Sequence, residues 1–237
     1  MNKINISLFL LLFAGLGFAQ AQTVDEVIDR HIEAIGGKAK LAELKSIRME
    51  TNLSVQGMDI PVVTTRVHNV GQRIDISAMG MEGFMITTPT QGWVYMPFMG
   101  QAAAEAMPEQ QVKDGAEELD LQGRFCNYKD KGIAVELAGK ENVDGKEAYK
   151  LNVTSKSGRS TTIYIDAKDY YIVQSVAKAF VMGQEQEVTI KYADYRKTEE
   201  GYVFPYSVSG AFGQGDMTVT KIEVNKAVDE KIFKPAN

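Results

Sequence analysis

Between residues 46 and 224 the chain is written largely in period two. Met49, Leu53 and Val55 alternate with Arg48, Glu50, Asn52 and Ser54. Val63, Thr65 and Val67 oppose Thr64, Arg66 and His68, and Ile74 and Ile76 oppose Arg73, Asp75 and Ser77. Successive side chains of a pleated strand point to opposite faces, so this pattern predicts half-buried strands. Gly57-Met58-Asp59 and Asn69-Val70-Gly71 supply turns between them. A second series follows at 133–137, 148–154, 161–166, 171–177, 188–195, 202–208 and 217–224, with Asp144-Gly145 and Ser157-Gly158 as turn signals. Short connections of this kind join antiparallel neighbours, and no strand alternates with a long helix. The fold class is therefore α+β, one antiparallel meander with few helices. Such a sheet must bury a face by closing into a barrel, curling around its helices or stacking on a second sheet.

The helices sit at the start and in one insert. Thr23-Val24-Asp25-Glu26 fits a capping box, and Val24, Val27, Ile28, Ile32 and Ile35 recur at helical spacing until Gly36-Gly37. Residues 38–44 can form a second short helix. In the insert at 101–119, Ala102, Ala103, Ala104 and Ala106 favour helix, and Pro108 is tolerated only at the start of a new one. Asp114, Glu117, Glu118 and Asp120 read as its solvated side.

Residues 1–21 read as a secretory signal peptide: Lys3, an apolar run over 6–18, and Ala19-Gln20-Ala21 as a small-x-small cleavage site, after Ala19 or Ala21. The run is short for a membrane span. Cys126 is the only cysteine of the 237 residues, so neither a disulfide nor lipid attachment at a new N-terminal cysteine is expected. Residues 22–237 then form one domain, resting on its apolar core, in a periplasmic setting. Loss of Lys3 makes the mature chain more acidic than the net −5 of the whole sequence. Without a basic run it is not expected to bind nucleic acid.

Catalytic patterns are scarce. His31 and His68 belong to no metal-binding spacing, Cys126 sits in no nucleophile signature, and no Gly-x-Ser-x-Gly elbow, P-loop or dinucleotide fingerprint occurs. The carboxylate pairs Asp25/Asp29 and Asp166/Asp169 fall on a helix side and a turn. No catalytic residue, metal site or cofactor is expected.

The stretch at 92–107 stands apart. Six of the eleven methionines lie between Met79 and Met107, together with Trp93, the single tryptophan. Methionine fills irregular gaps and recurs on surfaces that accept variable apolar partners. Trp93-Val94-Tyr95-Met96-Pro97-Phe98 followed by Gln101-Ala102, and the closing Val228-Asp229-Glu230-Lys231-Ile232-Phe233-Lys234-Pro235, resemble segments of the LolA-like periplasmic lipoprotein carriers and outer-membrane lipoprotein-sorting proteins. The resemblance spans roughly residues 24–235. It implies a strongly curved antiparallel β-sheet, an unclosed half-barrel, with helices over its concave apolar side. The chain departs from the lipoprotein carriers at His68-Asn69-Val70-Gly71-Gln72, where they place an arginine beside a proline.

The resulting expectation is a periplasmic carrier or chaperone, monomeric and not an enzyme. It holds a lipoprotein acyl chain or another lipid between sheet and lid, and it meets inner- and outer-membrane delivery partners. Met49, Leu53, Ile74, Ile76, Phe84, Trp93, Tyr95, Phe98, Met99 and Met107 are the expected cavity and lid residues, with Trp93 reporting on the ligand. The alternative is a secreted protein–protein interaction module in the cell envelope without a small ligand. A secreted hydrolase using Cys126 or a histidine is a more distant reading.

Overall fold

The computed structural model describes residues 22–181, 184–211 and 215–235, so the expected signal peptide lies outside the described residues. Helix α1 (Val24–Ala34) begins with both bonds of the capping box: Glu26 N–H donates to Thr23 Oγ1 at 3.2 Å, and Thr23 N–H to Glu26 Oε2 at 2.9 Å. Its apolar stripe buries Val27, Ile28 and Ile32 together with His31. Gly36 and Gly37, at positive φ, stop it, and α2 (Lys38–Ala42) follows.

The first strand series is β1 (Ser46–Val55), β2 (Met58–Val67), β3 (Gly71–Ala78), β4 (Met81–Thr87), β5 (Gly92–Tyr95) and the two-residue β6 (Glu105–Ala106). After α3 (Glu109–Glu117) come β7 (Ala134–Val143), β8 (Lys146–Thr154), β9 (Ser160–Asp166), β10 (Ile172–Val181), β11 (Gln184–Lys197), β12 (Val203–Ala211) and β13 (Gly215–Val224). All belong to one antiparallel sheet in the order β6-β5-β4-β3-β2-β1-β13-β12-β11-β10-β9-β8-β7. The chain thus lays down half the sheet outward from β1, crosses to the far edge through α3, and returns strand by strand to pair β13 with β1. Strands β6 and β7 remain as edges, and the sheet is an unclosed, curved half-barrel.

The insert differs from its expectation. Residues 102–104 form no helix; a short 3-10 turn (Pro97–Met99) is followed by β6, whose Ala106 pairs with Trp93. Alanine favours helix by only a few tenths of a kcal/mol per residue, and the stretch between Gly100, at φ 89°, and Pro108 is too short to nucleate one. Pro108 does stand at the start of α3.

Register decides which side chains share a face, because direct partners in an antiparallel pair point the same way. On the concave face, Leu53 pairs with Ile60, Val62 with Ile76, Ile74 with Met85, and Met85 with Val94. Leu53, Val62, Ile76 and Met96 form one buried cluster there, packed by Ile74, Met85, Val94 and Phe98. A larger cluster lies between α1, α2 and the other half of the sheet, and includes Val27, Ile28, Leu44, Ile47, Leu151, Ile163 and Phe125.

The opposite face of β2–β5 is covered as well. The C-terminal 3-10 turn (Glu230–Phe233), with Lys231 N–H donating to Asp229 Oδ1, seats Phe233 against Gly71, where a Cβ would come within 2.7 Å of the ring. Arg73 Nη1–H donates to Ile232 O at 3.1 Å, and Ile86 on this face is fully buried. Among the described residues no helix is long and apolar enough to cross a membrane.

Candidate functional site

A cavity of about 610 Å³ opens on the concave side, between α1, α2, the segment after α3 and both halves of the sheet. Small-molecule sites fall in this size range. Ile32 of α1, Ile35 at its C-cap and Leu41 of α2 form its helical wall; Ile47 and Met49 of β1, Val153 of β8, Ile163 of β9 and Phe204 of β12 form the sheet wall. Tyr192 and Tyr195 both reach the cavity, although an odd spacing should place them on opposite faces. Between them Asp194 takes a positive φ of 53°, a local twist of the backbone, while the pairing of β11 with β12 keeps one register on both sides of it. The Tyr195 hydroxyl donates to Ile172 O at 2.7 Å, and burial, reinforced by Tyr192 and Tyr171, pushes its pKa up, so it stays neutral.

The segment 116–125 forms a strap over this space. Asn69 N–H donates to Leu119 O at 3.0 Å and Leu121 N–H to His68 Nδ1 at 3.1 Å, which ties the strap to the β2–β3 turn. At its other side Ser157 N–H donates to Glu117 Oε1 at 3.0 Å, tying it to the β8–β9 turn. Glu118 Oε1 accepts from Arg124 Nη2 at 3.0 Å and from Arg159 Nη2 at 2.8 Å. Burial raises the Glu118 pKa, but Arg124, Arg159 and Arg66 outweigh it and hold the carboxyl below its usual range. The acidic run expected as a solvated side therefore turns in part toward the cavity, which Glu117, Glu118 and Asp120 line.

Arg66 enters from β2. It shares the concave face with Val62 and Thr64, since Ile47, its partner on β1, is a core residue. Its Nε is buried without a hydrogen-bond partner among the described residues. Burial lowers the guanidinium's pKa, and Glu118 opposes this only in part. Elsewhere on the wall, His31 Nδ1–H donates to Tyr170 O at 2.8 Å, and burial lowers its pKa, so the ring is held neutral. Cys126 lines the cavity too, and burial pushes its thiol pKa up, opposite to the shift that activates a nucleophile.

Of the residues expected at the site, Met49 lines the cavity. Leu53, Ile74, Ile76 and Phe98 gather in the adjoining concave cluster instead. Phe98 and Met107 lie against the bare backbones of Gly83 and Gly92, where a Cβ would come within 2.8 and 2.7 Å of them. Met99 stands 77% exposed in the 3-10 turn. The register places Phe84, Trp93 and Tyr95 on the opposite face: Phe84 pairs with Asp75 and Tyr95, and Trp93 with Ile86. Arg73 sits 4.8 Å above the Phe84 ring there. These three aromatics are not brought to the concave cavity, because their parity is opposite to that of Ile74 and Ile76. Sequence reasoning missed Glu118, Arg124 and Arg159, and it met Arg66 only as a residue flanking the 68–72 turn, alongside Arg73, that could stand in for the carriers' arginine. One available signal was the phase of β2, where Ile60, Val62, Thr64 and Arg66 share a face.

Sequence comparison finds no matching family model and no matching curated protein. Solved structures do match. A DUF1329 family protein from Desulfovibrio piger superposes with a TM-score of 0.56 at 14% identity, over 89% of this chain and 97% of its own. A LolA superfamily protein from Nitrosomonas europaea matches with a TM-score of 0.53 at 12% identity, over 85% and 96% of the two chains. An outer membrane lipoprotein-sorting protein domain from Vibrio parahaemolyticus gives 0.52 at 11% identity, over 88% and 95%. At these identities the likeness is one of fold, and the fold is that of the LolA superfamily protein and the lipoprotein-sorting domain.

Proposed function

We propose that this LolA-like fold serves as a periplasmic carrier or chaperone whose residues 22–237 act as a single monomeric domain. Its cargo is a lipid-like ligand, the acyl chain of a lipoprotein or a free lipid. The observation that carries this reading is the cavity of about 610 Å³, walled by apolar side chains from α1, α2 and both halves of the sheet. Burial of apolar surface contributes roughly 25 cal/mol per Å², so a long hydrocarbon chain gains most from such a space. The walls offer binding surface, and the raised thiol pKa of Cys126 and the neutral His31 do not make a hydrolase.

Mass spectrometry of a lipid extract from the mature protein, purified from its native envelope without detergent, tests the reading. A carrier arrives with lipid in a defined ratio to protein. Protein that arrives empty, and that takes up no amphiphile in titration, overturns it. The alternative of an interaction module draws on Met58, Met79, Met81 and Met99, the large hydrophobics left exposed among the described residues. They cluster at the β1–β2 and β3–β4 turns and just after β5. As a carrier, the protein would meet its delivery partners there. As a module, it would bind a partner there with an empty cavity.

A further inference from the structure

We propose that the cavity selects an amphiphile with an anionic head group, a carboxylate or a phosphate, held by Arg66 together with Arg124 and Arg159. The inference rests on the carrier reading and narrows it to a class of ligand.

Charge balance is the first ground. Arg66, Arg124, Lys131, Lys156 and Arg159 line the cavity against Glu117, Glu118 and Asp120, five cations facing three carboxylates. This surplus stands inside a chain whose net charge is −5. The second ground is the sharing of Glu118. Arg124 and Arg159 donate to the same Oε1, and Arg66 also draws on that carboxylate's charge. One carboxylate thus serves three guanidiniums. The third is Arg66 itself: its Nε–H is buried and has no acceptor among the described residues. A buried donor without a partner is costly, and a charged one more so. An oxyanion seated beside Arg66 supplies the missing acceptor, and the planar guanidinium fork suits carboxylate and phosphate geometry.

The position fits an amphiphile. Arg66 pairs directly with Ile47 and lies two residues along β2 from Thr64, the partner of Met49, so it borders apolar wall on the same face. Ile32, Leu41 and Leu44 belong to the same lining. A head group at the arginines therefore leaves a hydrocarbon tail among the side chains that gain from burying it. A neutral hydroxyl can accept the Arg66 bond but brings no charge to balance the surplus of guanidiniums. Its charged head also separates this ligand from a bare acyl chain attached through an uncharged linkage.

Calorimetric titration of the delipidated mature chain with dodecanoate, dodecyl phosphate and 1-dodecanol, each below its micellar range, tests the head-group preference. The anions are expected to bind about tenfold or more tightly than the alcohol, the factor one charge-assisted hydrogen bond supplies. Whichever anion binds tighter identifies the head group. Arg66→Met should bring the anions to within about threefold of the alcohol, weaken the alcohol far less than the anions, and keep the thermal midpoint near that of the parent, because the donor removed had no acceptor in the folded chain. Arg159→Gln provides a second reading on the same cluster should Arg66→Met fail to fold. Equal affinities for the three ligands in the parent chain overturn the head-group proposal and leave the carrier reading standing. No binding of any of the three, with an empty lipid extract, overturns both.

Discussion

His31 shows how one buried side chain couples the fold to pH. Its Nδ1–H is committed to Tyr170 O, its ring meets Phe125 edge-on at 5.5 Å between centroids, and it is 5% exposed. Burial lowers its pKa below the ordinary 6.5, with the Tyr170 bond opposing in part. The unfolded chain therefore takes up a proton at a pH where the folded chain does not. The stability tied to neutral His31 is complete above about pH 6.5 and is lost as pH falls toward the folded value, at up to about 1.4 kcal/mol per pH unit. Urea midpoints measured from pH 8 to 5 should fall on acidification. In His31→Gln, which keeps a donor for Tyr170 O, that slope should flatten. Parallel slopes in the two proteins would show that other groups carry the dependence.

At the scale of elements, the C-terminal turn and β3 depend on one another. Phe233 is 3% exposed and occupies the place a side chain at position 71 would take. Phe233→Ala should cost about 3–5 kcal/mol, the range for a buried aromatic. Gly71→Ala should destabilise the chain by a clash with the ring. Made in the Phe233→Ala background, Gly71→Ala should cost little, because the atoms it meets are gone. Thermal midpoints of the three variants decide it, and additive losses would exclude the contact as the cause. The strap is tied differently, by Glu117 to Ser157 N–H and by Glu118 to two arginines. The carboxyl of Glu118 is held below its usual range, so these ion pairs stay formed above that range. They weaken only as pH falls through the lowered value. Hydrogen exchange at residues 116–125 should accelerate below about pH 4 while exchange in β8 and β9 stays slow.

On the scale of the whole molecule, the two faces of the sheet have separate roles. The concave face holds the cavity, and the other face of β2–β5 carries Arg73, Phe84, Trp93 and the seat of Phe233. Trp93 should therefore respond little when dodecanoate fills the cavity. A tryptophan at the wall, introduced by Met49→Trp on a Trp93→Phe background, should shift its emission. A large change in Trp93 itself would place the ligand on the other side of the sheet.

The alternation of residues 46–55 and 71–78, the turn signals and the Thr23–Glu26 box were enough to predict α1 and an antiparallel meander of strands, but not the pairing of β1 with β13. These features are local: each depends on neighbours within a turn or a hairpin. Period two divides a strand into two faces but does not say which one is concave. In β2 both choices look apolar, since Val63 and Thr65 lie under cover on one face and Val62 lies in the core of the other. Only the pairing with β1 and β3 turned Arg66 inward, and only pairing with β3 turned Phe84 and Trp93 away from Ile74 and Ile76. The meeting of Arg66, Glu118, Arg124 and Arg159 joins positions far apart in the chain through a strap that crosses the open side of the half-barrel. The kind of sheet was thus legible along the chain, because propensity and periodicity act over a few residues. Tertiary structure decided where its cavity lies and which charges face it, because closure, register and strap placement are set by contacts between distant segments.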